Sequence, residues 1–230
     1  MATELAGEVA LVTGARGRLG PIWCEALAQA GAEVIGIDIE DADVSDRAAL
    51  EAVRDGLERK PTVLVNNAGI DQPPDADPRE VDFERVLQVN LGGVYNATVV
   101  FGEPMTAAGR GAIVNIGSLY ASIAPEPRFY DHLPGFVKPP AYGASKAGLV
   151  QLTRYFARLW GPRGVRVNAL SPGGVLGDQD PQFRAKYCER VPLGRMAEPG
   201  DLTGPLLFLC SDASRYLTGH ELRVDGGFTA

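Results

Sequence analysis

Residues 8–20, EVALVTGARGRLG, decide the fold of this chain. The first six form an apolar, β-branched run that ends in a turn, as expected of a strand buried on both faces. Three glycines follow, and then the helical pattern Ile22, Trp23, Ala26 and Leu27. A strand, a glycine-rich turn and a helix N-terminus make a diphosphate cradle, because close backbone approach, free amides and the helix dipole favour an anion. A glycine-rich turn alone is often only a turn, but these flanking elements predict dinucleotide binding.

The next strand supplies a carboxylate that can select the cofactor. Residues 31–38, GAEVIGID, fit a second strand that ends at Asp38, 18 residues beyond Gly20. An acidic side chain there can accept hydrogen bonds from the adenosine ribose hydroxyls and repel a 2′-phosphate, which favours NAD over NADP. Arg16 and Arg18 in the glycine-rich turn could instead pair with a 2′-phosphate, so NADP is the weaker alternative. A simple strand-ending turn residue is the third interpretation of Asp38.

The connection after Asp38 is too short for a regular crossover. Four residues, 39–42, separate Asp38 from Asp43. A parallel crossover with its helix needs at least about 10 to 12 residues. We therefore expect the third strand to be shortened or absent, which leaves the second strand near an edge of the sheet. Asp43 and Val44 would then lie beside the adenine.

Further apolar strand patterns alternate with helical patterns along the chain. This alternation predicts one α/β domain over residues 1–230, a doubly wound, Rossmann-like parallel sheet with helices on both faces. Ligands bind at the carboxyl ends of the strands in such a sheet, and Ser118 is expected at one of these ends. The remaining expected strands cover residues 61–69, 111–118, 165–170 and 221–224.

A tyrosine and a lysine share one helix face in residues 142–146, YGASK. One helical turn separates Tyr142 from Lys146. A lysine held beside a tyrosine favours the phenolate and lowers a pKa that starts at about 10, so the phenol could exchange protons near neutral pH. The pair is therefore a candidate general acid/base. Taken alone, the spacing is more typical of packing on a solvated helix face, and the other motifs decide between the two interpretations.

Two longer segments are candidates for the walls of a substrate pocket. Residues 119–141 lie between Ser118 and Tyr142 and contain several prolines and aromatic side chains. A loop of this length in a compact domain is usually functional, so we interpret it as an insertion that forms a pocket wall. Residues 174–200 are punctuated by Gly, Pro and charged residues around one expected helix, which is typical of a substrate lid.

Composition limits the classes of partner. The 230 residues carry 22 basic and 29 acidic side chains, a net charge of −7, which argues against nucleic-acid binding and against an anionic membrane surface. A small-molecule substrate is the expected partner. The first residues do not form a basic stretch followed by an apolar one, and no run of about 18 apolar residues occurs. We therefore expect a cytoplasmic protein. The three cysteines and two histidines show no ligand spacing, so no metal site is predicted.

Taken in order, the motifs resemble the short-chain dehydrogenase/reductase family over essentially the whole chain. Each motif is weak alone, whereas the ordered set is specific. The resemblance implies hydride transfer at a nicotinamide cofactor. The motifs are residues 13–20, Asp43-Val44, residues 66–69, Asn90, Ser118, Tyr142-x-x-x-Lys146, Asn168, Pro172-Gly173 and residues 225–227.

The resemblance also implies roles for individual residues. Tyr142 would be the acid/base, Lys146 would bind the nicotinamide ribose, and Ser118 would orient the substrate oxygen. Asn90 would hold a water in a proton relay to Lys146. A homotetramer or homodimer is implied, with the Tyr142 helix and its predecessor at the interface. The implied cofactor contacts are Gly14, Arg16, Gly17, Arg18, Leu19, Gly20, Asp38, Asp43, Val44, Asn67, Ala68, Gly69, Tyr142, Lys146, Pro172, Gly173 and Val175.

Two positions depart from the family pattern. Arg18 replaces the middle glycine of the usual turn, and the resulting Gly-x-x-Gly-x-x-Gly spacing looks like that of epimerase and dehydratase relatives. Those relatives carry an added substrate domain, for which 230 residues leave no room. Gly177 replaces the usual hydroxyl residue after Pro172-Gly173, so nicotinamide contact would rest more on the Val175 backbone. A dehydrogenase is favoured, with an NAD-dependent epimerase or dehydratase and a cofactor-binding regulatory protein as the alternatives.

Residues 124–130, APEPRFY, and Gln179-Asp180 suggest a subfamily. They are similar to members found in bacterial surface-sugar and flagellin-glycan biosynthesis. This similarity implies a sugar or nucleotide sugar as the substrate. Loop packing and solubility are an equally good explanation of the polar side chains that would contact such a substrate, namely Arg128, Tyr130, His132 and Lys138.

Overall fold

The chain folds around one parallel β-sheet. The structure is a computed structural model that describes residues 3–71, 82–133 and 138–230. The strands are β1 (Val9–Thr13), β2 (Glu33–Ile37), β3 (Val63–Asn66), β4 (Gly111–Ile116), β5 (Val165–Pro172) and β6 (Glu221–Val224). They lie in the order β2-β1-β3-β4-β5-β6, and every pairing is parallel. The expected Rossmann-like α/β architecture is confirmed.

Helices connect the strands. None of the helices in the described ranges is long and apolar enough to cross a membrane. Short 3₁₀ turns complete several of the connections, including Leu119–Ala121 directly after β4 and Pro127–Phe129. The α-helices are α1 (Gly20–Gln29), α2 (Arg47–Gly56), α3 (Phe83–Leu87), α4 (Val94–Ala108), α5 (Pro140–Trp160), α6 (Pro181–Arg190) and α7 (Thr203–Cys210).

The sheet is covered on both faces, which explains why its central strands are continuously apolar. On β1, Leu11 packs into a cluster with Trp160, whereas its neighbour Val12 packs into another with Trp23 and Leu206. Alternate residues of a strand point to opposite faces, so both sets must be apolar when both faces are buried. Each large apolar side chain buried in this way contributes about 1.5–3 kcal/mol of transfer free energy.

Strand β2 lies at one edge of the sheet, as the short connection after it predicts. The chain leaves β2 at Ile37, and residues 38–46 lead directly into α2. Within the described ranges, no strand pairs with the outer side of β2. The expected absence of the usual third strand is therefore confirmed, and residues 38–46 turn back along the carboxyl edge of the sheet.

A π-helical segment, Gln88–Gly93, joins α3 to α4. Such segments are rare and often occur at functional sites. Gly93 at its end lies against the connection that follows β2, since a Cβ atom built on Gly93 would be 2.5 Å from Val44 Cγ2. The missing side chain therefore lets α4 approach this connection closely.

We predict that Gly93→Ala destabilises the protein by about 1–3 kcal/mol, because the added methyl group overpacks against Val44. Gly204→Ala, in helix α7, is the control, since a Cβ atom there would meet no described atom within 4 Å. Alanine at position 204 should be neutral or stabilising by up to about 1 kcal/mol. Urea unfolding of the two variants measures the difference, and equal destabilisation would contradict the packing argument.

Candidate functional site

A cavity of about 710 Å³ opens at the carboxyl edge of the sheet. Residues from the glycine-rich turn, the β3 and β4 ends, α5 and the segment after β5 line it. All of the expected cofactor residues line it except Arg16 and Gly20. Of the expected catalytic residues, Ser118, Tyr142 and Lys146 line it, whereas Asn90 lies outside. The fold thus brings sequence-distant motifs to one place.

The glycine-rich turn is locked against the end of β3. Gly14 has φ +65°, and a Cβ atom there would be 2.7 Å from the Ala68 Cα atom, so only glycine fits. The Asn67 side-chain amide donates to the carbonyl oxygens of Thr13 at 3.1 Å and of Gly14 at 2.9 Å. Asn67 Oδ1 in turn accepts a 2.8 Å hydrogen bond from Trp23 Nε1. The open backbone turn that precedes α1 fits a diphosphate.

Trp23 is a supporting residue that the sequence predicted only as part of a helical pattern. Its indole is fully buried and holds Asn67, which holds the turn. A buried indole N–H usually has a hydrogen-bond partner, so Trp23 directly after the turn was an available signal.

The Arg16 guanidinium is paired with acidic side chains that follow β2. The Arg16 guanidinium pairs with Glu40 at 2.9 Å and with Asp41 at 2.7 Å, on the exposed side of the turn. The Asp38 carboxylate accepts a 2.6 Å hydrogen bond from the Arg16 backbone N–H and lines the cavity. Asp38 therefore remains at the cofactor end while Arg16 is held by other acids.

Arg18 reaches the opposite wall of the cavity. Its Nη2 donates to the Val175 carbonyl oxygen at 2.7 Å. A Cβ atom built on Gly177 would lie 2.3 Å from the same Nη2, so the Arg18 guanidinium occupies the space of a side chain at position 177. Gln179 also donates to the Val175 carbonyl at 2.7 Å. The two departures from the family pattern, at positions 18 and 177, are therefore in contact.

Ser118, Tyr142 and Lys146 meet at the end of β4. Ser118 lies two residues beyond this strand and is buried, with 8% of its surface exposed. The Lys146 Nζ atom donates to the Ile116 carbonyl oxygen at 2.7 Å and lies 5.6 Å from the centre of the Tyr142 ring. This arrangement can hold a substrate oxygen between a hydroxyl and a phenol, which is suitable for proton transfer.

The pKa of Tyr142 differs from the sequence expectation. Burial, followed by the Asp71 carboxylate, raises the pKa of Tyr142 to about 12, and a hydrogen bond with Ser118 opposes this rise. Burial lowers the pKa of Lys146 to about 8, although Asp71 raises it. Without a bound nucleotide, desolvation of the phenolate therefore raises the pKa of Tyr142, opposite to the lowering that the Tyr142–Lys146 spacing predicts.

Asn90 anchors the loop after β3. Its Oδ1 accepts from the Ile70 backbone N–H at 2.8 Å, and its Nδ2 donates to the Ile70 carbonyl at 2.8 Å and to Ser145 Oγ at 3.2 Å. These contacts make Asn90 a polar anchor, and its role in holding a water stays a prediction. The π-helical segment places this amide between the β3 loop and α5.

The segment 119–141 contributes part of the cavity wall, and its residues 134–137 lie outside the described residues. Tyr130 and Lys138 line the cavity, whereas the other two candidate contacts, Arg128 and His132, do not. Arg128 pairs with Glu126 at 2.5 Å, and His132 Nε2 lies 2.7 Å from Asp180 Oδ1. An aromatic cluster of Phe129, Tyr187 and Phe228 fixes this wall against α6.

Sequence reasoning missed Asp71 and Asp178, which also line the cavity. Asp71 lies just beyond the carboxyl end of β3, where an acidic residue was an available signal. In the described ranges, no group of three or more His, Cys, Asp or Glu side chains could hold a metal ion.

Comparisons with known proteins cover almost the whole chain. A family model described as enoyl-(acyl carrier protein) reductase matches residues 6–229. Galactitol 2-dehydrogenase (L-tagatose-forming) from Cereibacter sphaeroides is 37% identical over 254 residues, which covers 98% of this chain and 96% of that protein. The similarities therefore extend over the sheet, the cavity and residues 174–200 together.

Two solved structures have the same fold with different nucleotides. A gluconate 5-dehydrogenase from Burkholderia cenocepacia J2315, in complex with NADP and tartrate, has a TM-score of 0.88 at 28% identity and covers 99% of this chain and 97% of that one. A short-chain dehydrogenase from Leptospira borgpetersenii with bound NAD⁺ has a TM-score of 0.88 at 33% identity, covering 100% and 95%. Both nucleotides thus occur among similar structures.

We predict that positions 18 and 177 are energetically coupled. Gly177→Ala should displace the Arg18 guanidinium and weaken NADH binding about tenfold. In an Arg18→Ala background, the same change should alter binding by no more than about twofold. Titration of protein fluorescence with NADH gives the Kd of the parent, of the two single variants and of the double variant. Gly200→Ala, in the same lid segment with open space around it, is the control. Additive effects of the two substitutions would disprove the coupling.

Proposed function

The chain belongs to the short-chain dehydrogenase/reductase family, and from this premise we propose that it transfers a hydride between NAD(H) and a secondary alcohol or ketone. The observation that carries the proposal is the meeting of Ser118, Tyr142 and Lys146 in one cavity with the glycine-rich turn. The similar proteins are named for galactitol and gluconate. We therefore propose a sugar-derived polyol or sugar acid as substrate, rather than the nucleotide sugar of surface-glycan synthesis.

The chain's own residues provide the proton chemistry. Ser118 donates a hydrogen bond to the substrate oxygen, where negative charge develops, and Tyr142 exchanges the proton of that oxygen. Lys146, held by the Ile116 carbonyl, keeps a positive charge beside the phenol below a pH of about 8. A bound nicotinamide dinucleotide supplies the hydride acceptor or donor and, when oxidised, a positive charge that favours the phenolate. The reverse path reduces a ketone.

We propose NAD as the preferred nucleotide. Asp38 lines the cofactor end of the cavity, and both arginines of the turn are engaged elsewhere. A 2′-phosphate beside Asp38 would meet a negative charge, whereas ribose hydroxyls can donate to it. The structure with NADP shows that the fold itself permits either nucleotide, so local residues decide.

We also propose self-association and a cytoplasmic location. An exposed apolar patch on the π-helical segment, α4 and α5 supports a homodimer or homotetramer formed through these helices. The three cysteines are free thiols, which suits a reducing compartment. The patch contains Leu91, Gly92, Tyr95, Gly148, Leu152 and Tyr155.

Tyr142→Phe is expected to lower the turnover of alcohol oxidation by about 10²- to 10⁴-fold, because the acid/base group is lost. NADH binding should change by no more than about twofold, since the phenyl ring keeps its packing. NADH absorbance and fluorescence titration provide the two measurements. Tyr216→Phe, at a fully exposed tyrosine outside the cavity and the apolar patch, is the control.

The same assays separate the alternatives. A regulatory protein would bind NADH with no turnover in the parent. An epimerase or dehydratase would retain NAD tightly and convert substrate with no net release of NADH. Either result would replace the dehydrogenase proposal.

Asp38→Asn should raise the catalytic efficiency with NADP, relative to NAD, by about tenfold or more, because it removes the repelling charge and nearly preserves shape. The ratio of kcat/KM values for the two nucleotides is the measurement. Asp55→Asn makes the same charge change at an exposed position of α2 and should leave the ratio of kcat/KM values unaltered. A parent enzyme that works only with NADP would show that the interpretation of Asp38 is wrong.

A further inference from the structure

An ion pair forms part of the cavity wall beside the tyrosine. Lys138 Nζ lies 2.5 Å from Asp71 Oδ2. The lysine side chain is largely buried, at 13% exposure, whereas the aspartate side chain is 40% exposed toward the cavity. Lys138 Nζ also lies 5.6 Å from the centre of the Tyr142 ring. The pair thus joins the segment before α5 to the loop after β3, directly beside the reacting phenol.

We propose that Asp71, positioned by Lys138, binds substrate hydroxyls and makes the site selective for neutral polyols over sugar acids. This inference rests on the proposed dehydrogenase function and narrows its substrate class. A carboxylate accepts hydrogen bonds from neighbouring hydroxyl groups of a polyol. The same carboxylate repels a substrate that carries its own negative charge.

The charges around the phenol favour a neutral ligand. Besides Asp71, the described lining residues from the segment before α6 include the carboxylates Asp178 and Asp180. Two lysines also line the cavity: Lys146 is bound to the Ile116 carbonyl, and Lys138 is paired with Asp71. A sugar acid would have to displace Asp71 from Lys138 or place its carboxylate among these acids.

The remaining lining cations belong to the cofactor end. Arg18 donates to the Val175 carbonyl, and Arg85 pairs with Asp43 at 3.0 Å. The Asp71 carboxylate acts electrostatically on the reacting groups, since it raises the pKa of both Tyr142 and Lys146. A substrate hydroxyl that reaches the phenol therefore lies within range of Asp71.

The test compares polyols with aldonates of the same configuration, galactitol with galactonate and glucitol with gluconate, in the full chain saturated with NADH. Calorimetry gives Kd for each compound, and NADH production with NAD⁺ gives kcat/KM. The parent should bind at least one polyol about tenfold or more tightly than its aldonate. Asp71→Asn should weaken polyol binding and shift this ratio toward the aldonate by about tenfold or more.

Two further variants distinguish recognition from a structural effect. Lys138→Met should weaken polyol binding without strengthening aldonate binding. In this variant Asp71 keeps its negative charge but loses the ion pair that positions it. Asp131→Asn removes a similar ion pair, with Lys186, that lies outside the cavity, and should leave the ratio unaltered. Thermal unfolding confirms that each variant is folded.

The outcomes separate the two proposals. An aldonate preference in the parent that Lys138→Met abolishes would overturn the inference, because Lys138 would then bind the substrate carboxylate. An unaltered ratio in Asp71→Asn, or binding of neither class, would also overturn it. Polyol-selective binding with no turnover would uphold the recognition role while disproving the dehydrogenase function.

Discussion

The hydrogen bond from the Lys146 amine to the Ile116 carbonyl is the interaction on which the site depends. It joins α5, one turn after Tyr142, to the last residue of β4. Lys146 is only 4% exposed, so its ammonium must recover the lost hydration from such a partner. The bond therefore fixes the depth at which α5 sits on the sheet edge, and with it the position of Tyr142 relative to Ser118.

A network of buried polar side chains also fixes α5 against the sheet. Asn115 on β4 accepts from Asn66 on β3 at 2.8 Å and donates to Thr153 on α5 at 2.9 Å. The Asn66 amide also donates to Thr98 on α4 at 3.0 Å. Buried amides are costly unless paired, and in the described ranges every amide atom of this network except Asn66 Oδ1 has a partner. The network therefore favours one alignment of the two helices with the two strands. The strand asparagines thus support the geometry that the lysine completes.

The parts of the fold and site that could be predicted from the sequence are those set by local pattern. The 8–20 stretch encodes strand, turn and helix in adjacent residues, and the four residues after Asp38 exclude a crossover by length alone. The Tyr142–Lys146 spacing is likewise local. The carboxyl-edge rule then places these motifs together, because parallel strands end on the same side.

The sequence could not predict the features that depend on contacts between segments far apart in the chain. The contact of Arg18 with position 177 and the pairing of Asp71 with Lys138 each join residues far apart in the chain. The tyrosine pKa also required the fold, because burial acts against the lysine charge that the spacing suggests. A helical pattern indicates which residues are neighbours on one face, but it does not indicate how deeply each side chain is buried.

The absence of the usual third strand determines which residues line one end of the cavity. Because β2 is an edge strand, residues 38–46 run directly along the cavity instead of entering another crossover. Asp38, Asp43 and Val44 therefore all line its cofactor end. Glu40 and Asp41 lie between them and hold the Arg16 guanidinium on the exposed side. The shortened connection thus places acidic groups at this end of the cavity and pairs Arg16 with two of its own acids, and the proposed preference for NAD rests on this arrangement.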